Sequence, residues 1–385
     1  MNGYAGPRID TDVHHTWKTD AEVVQYLPAR WREFADGMMS NWPGRSRLEP
    51  SLLFSPLPNG FTNRIDSIPP SGGPPASEYG FMVEQLIEPF NMRRIVVSFE
   101  IGLQPGVTNV EFAAELTRAV NRWQVEYWMS LPDDRVHGSL LLPTQQPELA
   151  AAEIRRYADH PKIAEALLVV NGAGKPFGHP VYHPIYEAAA EVGMPVGIHT
   201  VGDTTPFGTL THTSAGGLPN TRFERRSLMA QPVHHYWSSY VVHGVFEKWP
   251  NLHLLLKETG VTGWVSLLWE LDACYDLLRR ESSWVRKLPS EYFREHAMLS
   301  TQPLDEPENH HDLIEVLESQ GGWENSLCFA TDYPHHDTDN PNYIAKRIPQ
   351  AWWDKVFYEN AVRAYGWTDI PATVHEFEAA TSLVH

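Results

Sequence analysis

The stretch Asp332-Tyr333-Pro334-His335-His336 places a carboxylate, an aromatic ring, a proline and two imidazoles just after an apolar, β-type run, Ser326 to Ala330. A carboxylate at the mouth of a strand, beside imidazoles, is a donor arrangement that suits a divalent metal ion. About 320 positions earlier the chain reads Ile9-Asp10-Thr11-Asp12-Val13-His14-His15. Asp12 and His14 are two residues apart, so on a strand both side chains leave the same face. Two such motifs near opposite ends of the chain imply a fold that closes on itself and brings its first and last strands together.

Further candidates also end apolar runs. His199 follows Pro195-Val196-Gly197-Ile198, Glu258 follows Leu254-Leu255-Leu256-Lys257, and Thr301-Gln302 follow the run from Ala297. Each has an ordinary structural reading. His199 suits a satisfied core position, Asp332 before Tyr333-Pro334 suits a turn, and Glu258 before Thr259-Gly260 suits the start of a helix. Their shared place at the ends of strands is what points to a site. His310-His311 read as the surface of a helix. His234-His235 and Arg225-Arg226 read as solvated positions, although the arginines are also suited to a substrate carboxylate.

Strand and helix patterns alternate along the chain. The strands expected are 9–14, 94–99, 136–142, 166–170, 195–199, 252–258, 297–301 and 327–332. The helical stretches between them are 20–39, 78–90, 110–129, 147–158, 182–192, 233–248, 261–280, 310–320 and 352–365. Eight such units predict a parallel sheet closed into an α/β, (β/α)8 TIM barrel. Barrel enzymes build their sites at the C-terminal ends of the strands, which is where the candidates fall. Residues 40–77 and 200–230 are Pro-, Gly- and polar-rich excursions from one domain spanning 1–385. No glycine-rich phosphate loop is present in the sequence.

The chain has 385 residues, with 30 basic and 48 acidic side chains and a net charge of -18. That acidity argues against nucleic acid and anionic membrane surfaces as partners, since phosphate contact needs a basic footprint. Two cysteines, Cys274 and Cys328, do not make a disulfide framework. The first residues lack a basic-then-apolar leader, and no apolar run reaches the roughly 18 residues of a membrane span. These features predict a cytoplasmic enzyme with a small-molecule substrate.

The motifs resemble the amidohydrolase-related ("amidohydrolase 2") metal-dependent hydrolases, relatives of aminocarboxymuconate-semialdehyde decarboxylase. The resemblance rests on Ile9 to His14, Asn121-Arg122-Trp123, Gly244 to Pro250, Glu258-Thr259-Gly260, Thr301 to Pro307 and Thr331 to His335. It implies a distorted TIM barrel with a metal site at its mouth. Asp12 and His14 would be the first-strand ligands, His199 the fifth-strand ligand and Asp332 the eighth-strand ligand. Asp332, with His335, would handle the proton of a metal-activated water in hydrolysis or decarboxylation. Two departures are visible. The first motif is carboxylate-x-His, as in the decarboxylases of the family, and the sixth strand ends in Glu258 where many relatives carry histidine. Glu258 and His336 therefore join the expected ligand list. Zinc is the first expectation for the metal. A pair of iron or manganese ions in an oxygenase on the same barrel is the alternative. The resemblance also implies a homo-oligomer, or a hetero-oligomer with a paralogue that keeps the fold for assembly.

Overall fold

In a computed structural model, the described residues are 3–37, 63–99, 104–107, 109–200, 226–227 and 229–382. They form eight parallel strands hydrogen-bonded in sequence order: β1 Arg8–His15, β2 Met92–Phe99, β3 Val136–Leu141, β4 Ile163–Leu168, β5 Val196–His199, β6 Leu254–Lys257, β7 Ala297–Ser300 and β8 Leu327–Cys328. Most helices between strands obey ordinary rules. The helix Val110–Tyr127 is capped by Asn109, whose side chain accepts from the Phe112 N–H. Pro147 opens the next helix, and Arg155 and Arg156 sit in its last turn, beside the negative end of its dipole. Helix His183–Val192 stops at Gly193, whose φ of 71° suits glycine.

Where the structure departs from the sequence reading, the cause is local. Pro28 lacks an N–H, and the stretch expected as one helix over 20–39 is split into Ala21–Val24 and Ala29–Gly37. Gly244, at φ 66°, divides 233–248 in the same way. β4 begins at Ile163 rather than Ala166, because the lone acid Glu165 is buried inside the barrel instead of breaking the strand. The helix Pro289–His296 was not anticipated. Its signature is Pro289 at the first position, with the Glu291 carboxylate reaching back to the Leu288 N–H. The closing helix expected over 352–365 is three short pieces, Gln350–Trp352, a π-helical turn Lys355–Glu359, and Asn360–Tyr365. The expected excursions fall largely outside the described residues. Of the first, Asn63 forms an antiparallel bridge to His335 beside the barrel mouth.

The core has two parts. Most apolar side chains form the layer between the sheet and its helices. A smaller cluster takes Ile9, Val96, Ala164, Leu255, Met298 and Cys328 from six strands and packs them on Tyr358, Ala361, Val362 and Tyr365. The C-terminal helical segment thus stoppers the barrel.

β8 pairs with β7 over only two residues, yet the chain beyond it closes the ring against β1. Thr11 N–H donates to the Phe329 carbonyl (3.0 Å), Asp332 N–H to Asp12 (2.9 Å), and His14 N–H to Tyr333 (2.7 Å). Asp10 fastens this seam. It is fully buried and accepts from the Asp12 N–H (3.2 Å), the Thr331 N–H (3.1 Å) and the Thr331 hydroxyl (2.6 Å). Asp10→Ala leaves these buried donors unmatched, at about 1–3 kcal/mol for the loss. The variant is expected to unfold at a clearly lower denaturant midpoint, and an unchanged midpoint would show that the seam does not need this carboxylate.

Candidate metal centre

β1, β5 and the segment that follows β8 each carry at least one polar side chain to the barrel mouth. Along β1, Val13 joins the outer core, and His15 packs among Phe99, Trp123 and Trp128. Asp12 and His14, on the opposite face, meet His199 at the end of β5 and Asp332 beyond β8. One donor atom from each of these four buried residues lies within 4.8 Å of the others. They form the one such group among the described residues.

The hydrogen bonds around the group leave lone pairs facing inward. His199 Nδ1 lies 2.6 Å from the Thr200 carbonyl, so the proton belongs on Nδ1. The bare Nε2 then faces Asp12 Oδ2 at 3.4 Å. His14 Nδ1 is 3.3 Å from the Phe99 carbonyl and 3.0 Å from the Ser98 hydroxyl, while Nε2 lies 2.8 Å from Asp332 Oδ1. Asp12 is fully buried, and neither of its carboxylate oxygens has a hydrogen-bond partner. Lone pairs held this close without a proton between them repel one another. Either a proton or a cation must lie among them.

The titration behaviour follows from the same crowding. Burial opposes charge on His199, but Asp12 raises its imidazole to about 9. Burial also opposes charge on Asp12, yet His199 and Lys257 hold its carboxyl well below the usual range. Burial pushes Asp332 up to about 6, against the pull of His335. These are four oxygen and nitrogen donors with no thiolate, and they fit a divalent metal ion. Nδ1 contacts of this kind fix the orientation of ligating imidazoles.

The other expected site residues divide. His335 stacks on His14 at 4.4 Å, and its Nδ1 lies 2.8 Å from Asp332 Oδ2, so it orients that carboxylate. Glu258 stands beside the group without belonging to it. Burial first, and then the neighbouring Asp332 charge, pushes its carboxyl up to about 8. His336 is not brought to the centre. Its side chain is 42% exposed and its Nδ1 lies 3.4 Å from Asp337 Oδ1, apart from the four-residue group in which it was expected. Thr301 and Gln302 serve the framework, with the Thr301 hydroxyl accepting from the Ala330 N–H and the Gln302 amide donating to the Asp337 carbonyl. His234 is packed against Trp264 at 4.7 Å. Arg225 lies outside the described residues. The Arg226 guanidinium sits 3.6 Å from Glu258 and 3.9 Å from both Asp305 and Asp337.

Sequence reasoning missed three contributors. Asp10 continues the alternation of Asp12 and His14, and that spacing was a usable signal. Lys257 ends an apolar run two residues after Leu255, so period two already placed it inside the barrel. Ser98, which fixes His14, carries no signal of its own in the sequence.

Residues 9–367 match the family described as Amidohydrolase. No curated protein matches the chain. Among solved structures, an amidohydrolase from Mycobacterium avium subsp. paratuberculosis is similar at TM-score 0.68 and 19% identity, covering 95% of this chain and 99% of that one. The 5-carboxyvanillate decarboxylase of Sphingomonas paucimobilis is similar at TM-score 0.63 and 19% identity, covering 94% and 100%. A dihydroxybenzoic acid decarboxylase from Polaromonas, with bound manganese and 2-nitroresorcinol, is similar at TM-score 0.59 and 18% identity, covering 95% and 97%. The eight-stranded barrel, the donor group at its mouth and a family match across nearly the whole length agree, and the chain belongs to the amidohydrolase family.

Proposed function

We propose that this protein is a divalent-metal-dependent enzyme of the hydrolase or lyase type that acts on a small organic acid, with decarboxylation as its favoured chemistry. The observation that carries this reading is the convergence of one donor atom each from four buried residues, Asp12, His14, His199 and Asp332, within 4.8 Å of one another at the barrel mouth. A divalent ion held there supplies Lewis acidity toward an oxygen of the substrate or of water. Manganese and zinc both suit two carboxylates with two imidazoles. Manganese has the added support of the Polaromonas decarboxylase that binds it.

Decarboxylation replaces a carboxylate on carbon with a proton, so the site needs a proton donor beside the metal. Two buried carboxyls here lean toward their protonated forms, Asp332 at about 6 and Glu258 at about 8. Asp332 belongs to the donor group itself and is held by His335, so it delivers the proton to carbon. In hydrolysis the same carboxylate would instead take a proton from water. Glu258, protonated at neutral pH, donates a hydrogen bond to a substrate carboxylate. Arg226 offers that carboxylate a positive charge at the mouth. The decarboxylase names among the similar structures favour an aromatic acid carrying a hydroxyl group.

Elemental analysis of the full chain is expected to find about one divalent ion per chain, most of it lost in His14→Ala. Full occupancy in that variant would move the metal elsewhere. A panel of hydroxylated aromatic acids, assayed for CO2 release with Mn2+ or Zn2+, is expected to include a substrate. Asp332→Asn should keep the fold and lower that turnover by about 10²-fold or more. Turnover within a few-fold of the parent would remove Asp332 from the proton transfer, and hydrolysis of amides without CO2 release would replace decarboxylation with the hydrolase form.

A further inference from the structure

Behind Asp12 the barrel interior buries a second set of charges that the proposed reaction does not use. Lys257, the last residue of β6, and Glu165, on β4, are 1% and 0% exposed, with the Lys257 Nζ 2.6 Å from Glu165 Oε1. The same ammonium lies 3.9 Å from Asp12 Oδ1. Lys257 therefore stands between two carboxylates and sits on the further one from the metal centre. Glu165 is built into its place. The Ser139 hydroxyl donates to Oε1 at 2.6 Å, and the Tyr365 hydroxyl donates to Oε2 at 3.2 Å. Gly197 leaves the room, since a Cβ there would lie 2.8 Å from the Glu165 carboxyl carbon. Three elements other than β4 thus hold one carboxylate still, while the flexible lysine stem is free to follow its charge.

We infer that Glu165 is a positioning residue of the metal centre: by keeping the Lys257 ammonium on its own carboxylate, it leaves Asp12 to the metal, with Oδ2 as the donor oxygen. The asymmetry of Asp12 fits this, because Oδ2 faces His199 and Oδ1 faces Lys257. Among the described residues, Asp12 and Glu165 are the two carboxylates within ion-pair distance of Lys257. Without the charge of Glu165, the ammonium has Asp12 as its remaining partner and competes there with the incoming cation. The inference rests on reading the Asp12 group as a metal site, and the test separates the two.

The test is calorimetric titration of the chelator-treated full chain with Mn2+, with folding checked by circular dichroism and thermal unfolding. Glu165→Gln keeps the shape and the two hydroxyl contacts but removes the charge. It is expected to bind Mn2+ about 10-fold or more weakly, the scale of other outer-shell changes, and adding Lys257→Met should recover affinity to within about threefold of the parent. A merely structural role for Glu165 would not be rescued by removing its partner. Parent-like binding by folded Glu165→Gln overturns the inference, as does a double variant that is folded but as weak as the single one. If Glu165→Gln does not fold, the charge-balanced double variant decides alone, and a tenfold or greater loss there overturns the inference. A folded parent chain that takes up no Mn2+ at all overturns the metal-site reading itself.

Discussion

The mouth of this barrel exists only because the last strand lies against the first. Asp12 and Asp332 are 320 positions apart in the chain, and a single hydrogen bond from the Asp332 N–H to the Asp12 carbonyl, 2.9 Å long, sets their backbones side by side. β8 is the shortest strand, with a ladder of two residues on β7, so regular sheet pairing cannot carry the closure. Irregular backbone past Cys328 carries it instead, together with a buried carboxylate, Asp10, that takes two donors from Thr331 across the seam and one from Asp12 on its own strand. The seam joins distant parts of the sequence, and the group of four donor residues straddles it. Opening the seam would separate Asp12 and His14 from Asp332 before it disturbed any single helix.

Closure creates an electrostatic difficulty that shapes the rest of the centre. It buries Asp12, Asp332, Glu258 and Glu165 in one interior, with Lys257 as the buried ammonium among them. A buried charge without a partner is strongly unfavourable, so each carboxyl resolves its charge in one of a few ways. Glu165 takes Lys257. Asp12 draws a proton onto His199. Glu258 and Asp332 lean toward protonation, because burial outweighs the pull of the basic groups beside them. A divalent cation among the four ligand atoms would answer the same need with one particle, which is why the donor chemistry and the shifts in titration point the same way.

Much of this was legible in the sequence, and the gaps have physical reasons. The alternation of strand and helix, and polar residues ending successive apolar runs, were enough for the barrel and for Asp12, His14, His199 and Asp332. Strand periodicity says which face a residue leaves, and that suffices when the strand is regular. It gives no facing for His336, which lies in a turn, where no period applies. It failed at Glu165. A lone acid in an apolar run reads as the end of a strand unless its partner is known, and the partner, Lys257, comes from a strand 92 positions later. Pairing between distant strands is the information a single sequence carries least directly.

Two strand exits show what the fold gives up for its site. Asp332 and Glu258 both sit in the left-handed region, at φ 60° and 55°, which costs a non-glycine residue roughly 1 kcal/mol or more. Local preference alone would place glycine or asparagine there. The surroundings hold both turns in place. The Ser300 hydroxyl accepts from the Glu258 N–H at 2.9 Å and donates to the Gln302 carbonyl at 3.0 Å. At Asp332 the carbonyl receives the His335 N–H and the Thr338 hydroxyl. Strain of this kind persists only where neighbouring structure over-determines it. Ala76, Asn91 and Asp305 also hold positive φ, but at these two exits it falls on buried carboxyls that lean toward protonation, one in the donor group and one beside it. A glycine at either exit would relax the backbone and remove the acid. The retained strain is therefore itself an argument that the side chains, rather than the turns, are what these two positions serve.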